Sequence, residues 1–326
     1  MAEGTNYLKV SCHMTLLYTD PLFLKHDTGR HPETADRLRS ITKRLDKAGL
    51  IQKCRAGTYQ PLTEEAVGKI HAAKQIQSAK QVAQHGGGML DADTIVCPDS
   101  FSVALAAAGA CVAAVDAVIK GDDKNALCLV RPPGHHATPT RSMGFCLFNN
   151  IALAANHART AHHLSKILIV DFDVHHGNGT QDIFYESPEV VFFSIHRYGN
   201  GFYPGTGAED ESGRGKGLGH IINAPIRYGA ARKEYHARFE KALEKAAEKI
   251  RPELVLLSAG FDAHAKDPIG SLGLEVEDFS VLTKELLQVA KSYAQSRLVS
   301  CLEGGYHLEA LAESVEAHLK ELLAVA

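Results

Sequence analysis

The amino-acid sequence predicts an α/β fold in which helices cover both faces of one predominantly parallel sheet. Short runs rich in branched apolar residues recur along the 326-residue chain, and most are apolar at consecutive rather than alternating positions. Such runs are typical of strands that are buried on both faces of a parallel sheet. Helical segments separate these runs, and this alternation is typical of an open α/β sheet. No internal repeat or low-complexity tract interrupts the pattern, so we expect a single domain over residues 1–326.

Seven segments carry the strand pattern. The sequence predicts strands at Met14–Tyr18, Leu127–Arg131, Ile167–Asp173, Val190–His196, His220–Asn223, Leu254–Ser258 and Arg297–Leu302. Between them, Arg232–Ile250 and Leu308–Leu323 place apolar residues along one stripe, as amphipathic helices do. The Ala-rich run Val103–Val115 ends at Asp116 and is too short to cross a bilayer, so we expect a tightly packed internal helix there.

Composition and charge limit the classes of partner. The chain has 35 basic and 38 acidic side chains, a net charge of −3, which gives no bulk attraction to nucleic acid or to an anionic membrane. Seven scattered cysteines without a C-x-x-C motif are typical of reduced thiols. The first residues show no secretory signal, so we expect a cytoplasmic protein with no nucleic-acid or membrane partner. The oligomeric state stays open.

Polar residues collect where four of the predicted strands end. The clusters are RPPGHHA after Leu127–Arg131, DFDVHHGNG in and after Ile167–Val170, SAGFDAH after Leu254–Leu257, and CLEGGY after Arg297–Ser300. The carboxyl ends of parallel strands share one edge of a sheet, where ligands bind in open α/β folds. The glycine-rich segment Gly199–Gly219 also follows a strand, so we expect a long functional loop at this edge. Four clusters at one edge predict a site.

Two of these clusters contain residue types that bind metals. Asp173 and His175 are two positions apart in an extended segment and therefore point to the same side. Asp262 lies at the end of another strand and is able to supply a third ligand. Three oxygen or nitrogen ligands leave a position for water and substrate, as in catalytic zinc sites. Taken alone, the pattern is equally compatible with chance spacing and with an aspartate that caps a helix.

The other residues of these clusters are suited to acid–base chemistry. His135 and His136 follow a rigid Pro-Pro-Gly turn, and hydrolysis of an amide needs a group that takes a proton from water and delivers one to the leaving nitrogen. Asp171 and Asn178 are available to orient the two imidazoles. Tyr306 follows two glycines and is able to donate a hydrogen bond to an oxyanion. The alternatives without a catalytic role are that the two histidines are hydrogen-bonded loop residues and that the Gly-Gly-Tyr segment is an ordinary turn.

Together the clusters closely resemble the zinc-dependent histone deacetylase superfamily, in the branch that holds class II enzymes and bacterial histone deacetylase-like amidohydrolases, and that is related to acetylpolyamine amidohydrolases and acetoin-utilisation proteins. The matching segments are HDTGRHPETADRL (His26–Leu38), RPPGHHA (Arg131–Ala137), GFCLFNN (Gly144–Asn150), DFDVHHGNGTQDIF (Asp171–Phe184), SIHRYGNGFYPGTG (Ser194–Gly207), SAGFDAHAKDPIG (Ser258–Gly270) and LEGGY (Leu302–Tyr306). They occur in family order across nearly the whole chain. The resemblance implies the arginase–deacetylase fold, one α/β domain around a predominantly parallel eight-stranded sheet.

The resemblance also implies a role for each site residue. Zinc would be held by Asp173, His175 and Asp262, with His136 as general base and then general acid. Tyr306 would donate a hydrogen bond to the oxyanion. The activity implied is hydrolysis of acetyl or other acyl groups from lysine side chains.

The resemblance also implies residues that support the metal ligands and the catalytic residues. His135 would act as an electrostatic partner oriented by Asp171, and Asn178 would orient His136. Members of the superfamily also bind a structural potassium ion. Here its ligands would be Asp171, Asp173, His175, Ser194 and Ile195.

A narrow apolar tunnel admits the substrate in this superfamily. Phe145 and Tyr203 match its facing aromatic walls, with Gly144 beside the first, while Ile269 and Gly305 would lie near its floor and lip. Two residues depart from the usual pattern: Tyr203 replaces a phenylalanine and Ile269 replaces a leucine. Asn178, where some branches carry an aspartate, is typical of the class II and bacterial branch.

Three other functions are compatible with part of this set of residues. Acetylpolyamine hydrolysis would use the same chemistry with an acidic entrance, to which Asp91, Asp93, Asp99 and the run from Glu209 to Glu211 would contribute. A non-catalytic acyl-lysine reader has no need of a base and an oxyanion donor. An arginase-like two-metal enzyme needs a further carboxylate where Asn178 stands. We expect acylated lysine peptides or acetylated polyamines as substrates.

Overall fold

An eight-stranded, fully parallel sheet forms the centre of the computed structural model, which describes residues 14–325. Within those residues the strands are β1 (Leu16–Tyr18), β2 (Arg55–Ala56), β3 (Gly88–Asp91), β4 (Thr94–Val96), β5 (Asn125–Cys128), β6 (Ile167–Asp171), β7 (Val190–Arg197), β8 (Ile221–Ile226), β9 (Leu254–Ala259) and β10 (Leu298–Leu302). The sheet order is β2-β1-β5-β10-β9-β6-β7-β8, and β3 and β4 form a separate antiparallel hairpin. The predicted parallel α/β sheet is confirmed.

Helices cover both faces of the sheet. They are α1 (Asp36–Lys47), α2 (Glu64–Val67), α3 (Ala73–Gln84), α4 (Ser100–Lys120), α5 (Asn150–Ala161), α6 (Asn178–Phe184), α7 (Arg232–Ile250), α8 (Val276–Tyr293) and α9 (Leu308–Ala324). On one face α1, α9, α8 and α7 pack side by side, and on the other α4 packs against α5. The apolar stripes that the sequence predicts on α7 and α9 are buried, except for Leu308 at the start of α9, which is exposed. The strands that flank the site are buried as well.

The Ala-rich helix is longer than its apolar run indicates. It extends over Ser100–Lys120, and it is the one helix in residues 14–325 that is long and apolar enough to cross a membrane. Most of it is buried inside the protein, against the sheet and α5, which agrees with the predicted internal helix. Gly109 permits this packing, because a Cβ there would collide with the backbone of Gln60.

Several strand ends differ from the predicted bounds for local reasons. The strand predicted to end at Asp173 stops at Asp171, because the Asp173 N–H bonds to the Asp171 side chain instead of a neighbouring strand. The strand predicted at Leu127–Arg131 starts and ends later in the chain than the observed β5. The chain leaves the sheet before Arg131, whose side chain forms a buried ion pair. Edge strand β8 continues through Pro225, which an edge position tolerates.

Two further expectations concern the glycine-rich loop and the cysteines. Gly199–Gly219 forms a long loop after β7 that contains one short 3-10 turn at Gly215–Gly217. Six cysteines of the described residues are free thiols, whereas Cys12 and the first residues considered for a secretory signal lie outside the described residues.

Candidate metal and acid–base site

The ends of β6 and β9 bring together the three predicted metal ligands. The ligand atoms of Asp173, His175 and Asp262 all lie within 4.8 Å of one another, and the three side chains are buried. His175 Nδ1 is 3.0 Å from Asp173 Oδ1 and 3.2 Å from Asp262 Oδ2. The His175 ring is held in this orientation by stacking on Phe202, with ring centroids 5.0 Å apart. The structure therefore builds a compact Asp-His-Asp donor set at the predicted edge.

The unbalanced charge of this cluster fits a cation. Asp262 Oδ1 accepts a hydrogen bond from the Val174 N–H at 2.8 Å, whereas its buried Oδ2 is approached by His175 Nδ1 at 3.2 Å and accepts no hydrogen bond among the described residues. Burial and the neighbouring Asp173 carboxylate raise the pKa of Asp262 to about 7. Burial alone would also raise the pKa of Asp173, but the nearby His135 and His175 lower it overall. Two buried carboxylates and one imidazole are the ligand types of a catalytic zinc site.

Two glycines allow the carboxylates to approach the backbone. A Cβ at Gly304 would overlap the Asp262 carboxylate and come 2.5 Å from Asp173 Oδ2, and a Cβ at Gly260 would overlap Asp173. The Gly304 N–H donates a 2.8 Å hydrogen bond to Asp173 Oδ2. The glycines of these motifs are therefore required by close packing around the ligands.

The tandem histidines lie beside this cluster, each with its own partner. His135 Nδ1 is 2.9 Å from Asp171 Oδ2, and His136 Nδ1 is 2.7 Å from Asn178 Oδ1. Because the asparagine oxygen accepts a hydrogen bond, Nδ1 of His136 carries the proton and Nε2 is left free to accept one. The ring centroids of the two histidines are 4.0 Å apart.

Their surroundings separate the pKa values of the two imidazoles. Burial alone would lower the pKa of His135, but the Asp171 and Asp173 carboxylates raise it to about 10. Burial and the positive charges of His135 and His175 hold the pKa of His136 far below its usual value. A charged His135 next to a neutral His136 is the kind of pair that divides acid–base roles.

Tyr306 is positioned through its backbone. Its N–H donates a 2.7 Å hydrogen bond to Asp267 Oδ2, and the guanidinium carbon of Arg37 lies 5.1 Å from its ring centroid. Burial raises the pKa of Tyr306 well above its usual value, with Asp262 and Asp173 adding to the increase. Its hydroxyl therefore stays protonated and is able to donate a hydrogen bond.

The predicted tunnel aromatics flank the candidate catalytic residues. The Phe145 ring lies 5.8 Å from that of Tyr306, and the Tyr203 ring lies 5.0 Å from that of His136, both edge-on. Gly144 has a φ of 58°, and a Cβ there would overlap the His136 ring. The Tyr203 hydroxyl is buried and has no hydrogen-bond partner among the described residues, although its position corresponds to an apolar wall.

The predicted lip residues are linked to Tyr306 by Asp267. Its Oδ1 accepts hydrogen bonds from the N–H groups of Ile269 (2.9 Å) and Gly270 (3.0 Å), while Oδ2 holds Tyr306. Ile269 is half-buried, and the Gly305 carbonyl accepts a 2.6 Å hydrogen bond from Arg37 Nε. One carboxylate thus couples the lip to the phenol.

The residues of the predicted potassium site lie on paired strands. Asp171 of β6 is in register with Ser194 of β7, and Ile195 follows; all three are buried. The Ser194 hydroxyl lies 2.9 Å from His196 Nδ1. Potassium itself stays a prediction of the resemblance.

Two buried glutamates support the site, and sequence reasoning assigned neither of them a role. Glu303 accepts hydrogen bonds from the N–H groups of Gly134 (2.7 Å) and His135 (3.2 Å), which fixes the turn that presents the histidines. Glu33 pairs with Arg131 and Arg37, all three fully buried. Burial alone would raise the pKa of Glu33, but Arg131 lowers it to about 2. The sequence feature that could have indicated a role for the two glutamates is their position inside the HDTGRHPE and LEGGY motifs.

The acidic residues considered for the entrance are partly neutralised. Asp91 lies 3.6 Å from Arg141, and Glu209 lies 3.3 Å from Arg238. Glu211 accepts hydrogen bonds from the backbone N–H groups of Gly207 and Ala208 within its own loop. Glu209 and Glu211, two of the three acidic residues in the run from Glu209 to Glu211, are therefore paired. Burial raises the pKa of Tyr203, and the nearby Asp93 and Asp91 raise it further.

Comparison with known proteins agrees with this geometry. The family model described as Histone deacetylase domain matches residues 31–322. Histone deacetylase 14, chloroplastic, of Arabidopsis thaliana is 37% identical over 94% of this chain and 76% of its own length. The histone deacetylase-like amidohydrolase of Pseudomonas aeruginosa is 37% identical over 84% of this chain and 71% of its own.

Two further matches cover the same region. Polyamine deacetylase HDAC10 of Homo sapiens is 42% identical over 89% of this chain, which corresponds to 44% of that protein. The crystal structure of the HDA15 HD domain matches with a TM-score of 0.91 and 36% identity, covering 96% of this chain and 89% of that one. The chain belongs to the histone deacetylase family of hydrolases, and its parallel sheet is the arginase–deacetylase fold.

Proposed function

We propose that the protein is a zinc-dependent amidohydrolase that removes acetyl or other acyl groups from the Nε amine of lysine side chains. The observation that carries this proposal is the neutral, Asn178-oriented His136 beside the buried Asp-His-Asp cluster. A reader domain has no need of such a base. A two-metal hydrolase needs a carboxylate where Asn178 instead accepts the His136 hydrogen bond.

The metal would be held by Asp173, His175 and Asp262. Zinc bound there supplies a Lewis acid that polarises the acyl carbonyl and acidifies water. The protein contributes rigid ligands, because the Val174 and Gly304 N–H groups fix the two carboxylates and Phe202 fixes the imidazole.

The histidine pair would move the proton. His136 accepts a proton from the attacking water at Nε2, while its Nδ1–H remains bonded to Asn178. The same Nε2–H then protonates the leaving amine nitrogen as the C–N bond breaks, which releases the free lysine and the carboxylic acid. His135, held protonated by Asp171, favours the negative charge that develops on the acyl oxygen.

The remaining residues would orient the acyl-lysine. Tyr306 donates a hydrogen bond to the developing oxyanion and remains protonated because burial raises its pKa. Phe145 and Tyr203 flank this centre and would bury the methylene chain of lysine, which needs no polar partners.

Acetylpolyamines are the second substrate class, because a relative 42% identical to this chain is a polyamine deacetylase. Asp91 and Asp93 near Tyr203 would favour any cationic substrate. The half-buried Ile269 at the lip carries no charge for a second amine, which favours an acyl-lysine peptide.

The test is turnover of an acetyl-lysine peptide and of acetylputrescine by zinc-loaded protein, with longer-acyl and lactoyl peptides beside them. Faster turnover of a peptide supports a protein lysine deacylase, and the acyl series then identifies the preferred group. Turnover of acetylputrescine alone would overturn the proposal of a lysine substrate, while the proposed mechanism of amide hydrolysis would stand. No turnover of any substrate by protein that holds zinc would overturn both.

A further inference from the structure

A second group of metal-binding side chains lies away from the candidate active site. It consists of Asp116 near the end of α4, His157 in α5, and His162, which directly follows α5. The ends of α4 and α5 lead into the beginnings of β5 and β6, so the group lies at the amino edge of the sheet. The candidate active site occupies the opposite, carboxyl edge.

The two imidazoles converge on one carboxylate oxygen. Nε2 of His157 is 2.7 Å from Asp116 Oδ1, and Nε2 of His162 is 2.6 Å from the same atom. The three ligand atoms lie within 4.8 Å of one another. An ion held by all three atoms at ordinary ligand distances, about 2.0–2.2 Å, would require the two rings to move outward from Asp116.

The fold holds these side chains in place. Helices α4 and α5 pack against each other, which fixes Asp116 relative to His157. After His162 the chain turns sharply: His163 has a φ of 56°, and the Leu164 N–H bonds to the Ala158 carbonyl at 3.2 Å. The group also lies at the carboxyl end of α5, where the helix dipole favours positive charge.

Partial exposure gives an ion access. The side chains of Asp116, His157 and His162 are 32%, 29% and 19% exposed. Water is therefore able to reach the remaining coordination positions. Two imidazoles and one carboxylate with open positions are a donor set for divalent first-row transition metals, and hard cations such as Mg²⁺ prefer oxygen ligands.

We propose that Asp116, His157 and His162 form a second binding site for a divalent transition metal such as Zn²⁺, independent of the candidate active site. An ion there would replace the two histidine–aspartate hydrogen bonds and join α4 to α5. Its binding would raise the stability of the folded chain by mass action.

The experiment uses full-length Asp262→Ala protein, in which the active-site donor set is broken, so its outcome does not depend on the proposed function. Zn²⁺ bound per chain is measured by equilibrium dialysis and mass spectrometry, together with the thermal midpoint with and without micromolar Zn²⁺. We expect one ion per chain and a higher midpoint with Zn²⁺. Adding His162→Ala should weaken binding at least about tenfold and abolish the shift.

The matched control is His163→Asn in the same background, because His163 is exposed and lies outside the group, and asparagine tolerates its left-handed backbone. It should leave binding and the thermal shift unchanged. His157→Gln provides a milder second variant, and equal midpoints in EDTA show that the variants fold alike. The proposal is overturned if Asp262→Ala binds no Zn²⁺, or if it binds equally well with and without His162.

Discussion

At the scale of single residues, Tyr306 is placed by a backbone hydrogen bond to Asp267, so its hydroxyl is removable without loosening the turn. We expect Tyr306→Phe to keep its zinc and to lose about 10²–10³-fold in kcat, the usual effect of losing one oxyanion donor. Steady-state kinetics and zinc content measure both effects. Full turnover by the variant would show that the phenol does not stabilise the oxyanion.

The metal ligands give a second prediction at this scale. Asp262 supplies a buried oxygen, Oδ2, that accepts no hydrogen bond and faces His175 Nδ1 at 3.2 Å, and a metal would use it. Asp262→Ala should therefore lower the zinc content by one ion per chain and abolish activity, as measured by metal analysis after gel filtration. Tyr306→Phe is the control that retains zinc. An Asp262→Ala protein with the zinc content of the wild type would refute this ligand assignment.

Asp267 supports a third prediction, because its two oxygens tie the lip to Tyr306. Asp267→Asn turns one acceptor into a donor that faces an N–H group. We expect kcat to fall at least about tenfold, since a small misplacement of a reacting group is costly. Zinc content should stay unchanged, and the acyl-group preference should shift because Ile269 moves. Loss of zinc would instead show that Asp267 serves the metal site.

The sequence identified the candidate metal ligands and acid–base residues more fully than it identified the residues that hold them in place. The spacing of Asp173 and His175 is a local property of one motif, whereas the pairing of His136 with Asn178, 42 residues along the chain, was implied by the family resemblance; the structure brings these residues together. The support by Glu303 depends on a contact 169 residues along the chain, with the Gly134 N–H. No periodicity or motif spacing encodes such a contact.

At the scale of elements, the buried Glu33 joins three parts of the chain. It pairs with Arg131 after β5 and with Arg37 of α1, and Arg37 in turn donates to the carbonyls of Glu303 and Gly305 after β10. Removing the carboxylate charge would leave two buried guanidinium groups without their counter-ion.

We therefore expect Glu33→Gln to destabilise the fold by about 3–5 kcal/mol, as for other broken buried ion pairs. Urea unfolding measures the effect. Glu64→Gln is the matched control, because its pair with Lys80 is over a third exposed and should contribute less than about 1 kcal/mol. Equal losses from the two variants would show that the buried network does not stabilise the fold.

The elements that were missed share a physical reason. β2 is a two-residue edge strand, Arg55–Ala56, and both residues are exposed, so it lacks an apolar pattern. The β3–β4 hairpin near the entrance contains Gly88 and Asp91, residues that are depleted in strands. Buried strands, including the edge strand β8, were predicted because their side chains face apolar layers, whereas β2 and the β3–β4 hairpin form through pairing that an apolar pattern does not display.

At the scale of the whole molecule, two buried histidines couple stability to pH without touching the candidate active site. His318 lies between the hydroxyls of Thr283 and Ser300, and burial lowers its pKa to about 3. His71 accepts the Asn149 N–H and contacts the Thr138 carbonyl, and burial lowers its pKa to about 4. Both stay neutral in the folded chain at pH values where the unfolded chain binds a proton.

The sign of the effect follows from this difference. Below the unfolded pKa of about 6.5, the unfolded state binds more protons, so the free energy of unfolding falls as pH decreases from 6.5 toward the folded pKa. For His318 alone the loss between pH 8 and pH 5 is about 2 kcal/mol. His318→Gln removes the titrating group, so its free energy of unfolding should fall less over that range. Urea unfolding at both pH values, in EDTA so that metal binding does not contribute, measures this difference. The exposed His163→Gln is the control and should follow the wild type, whereas an identical pH dependence in His318→Gln would show that another group causes the acid sensitivity.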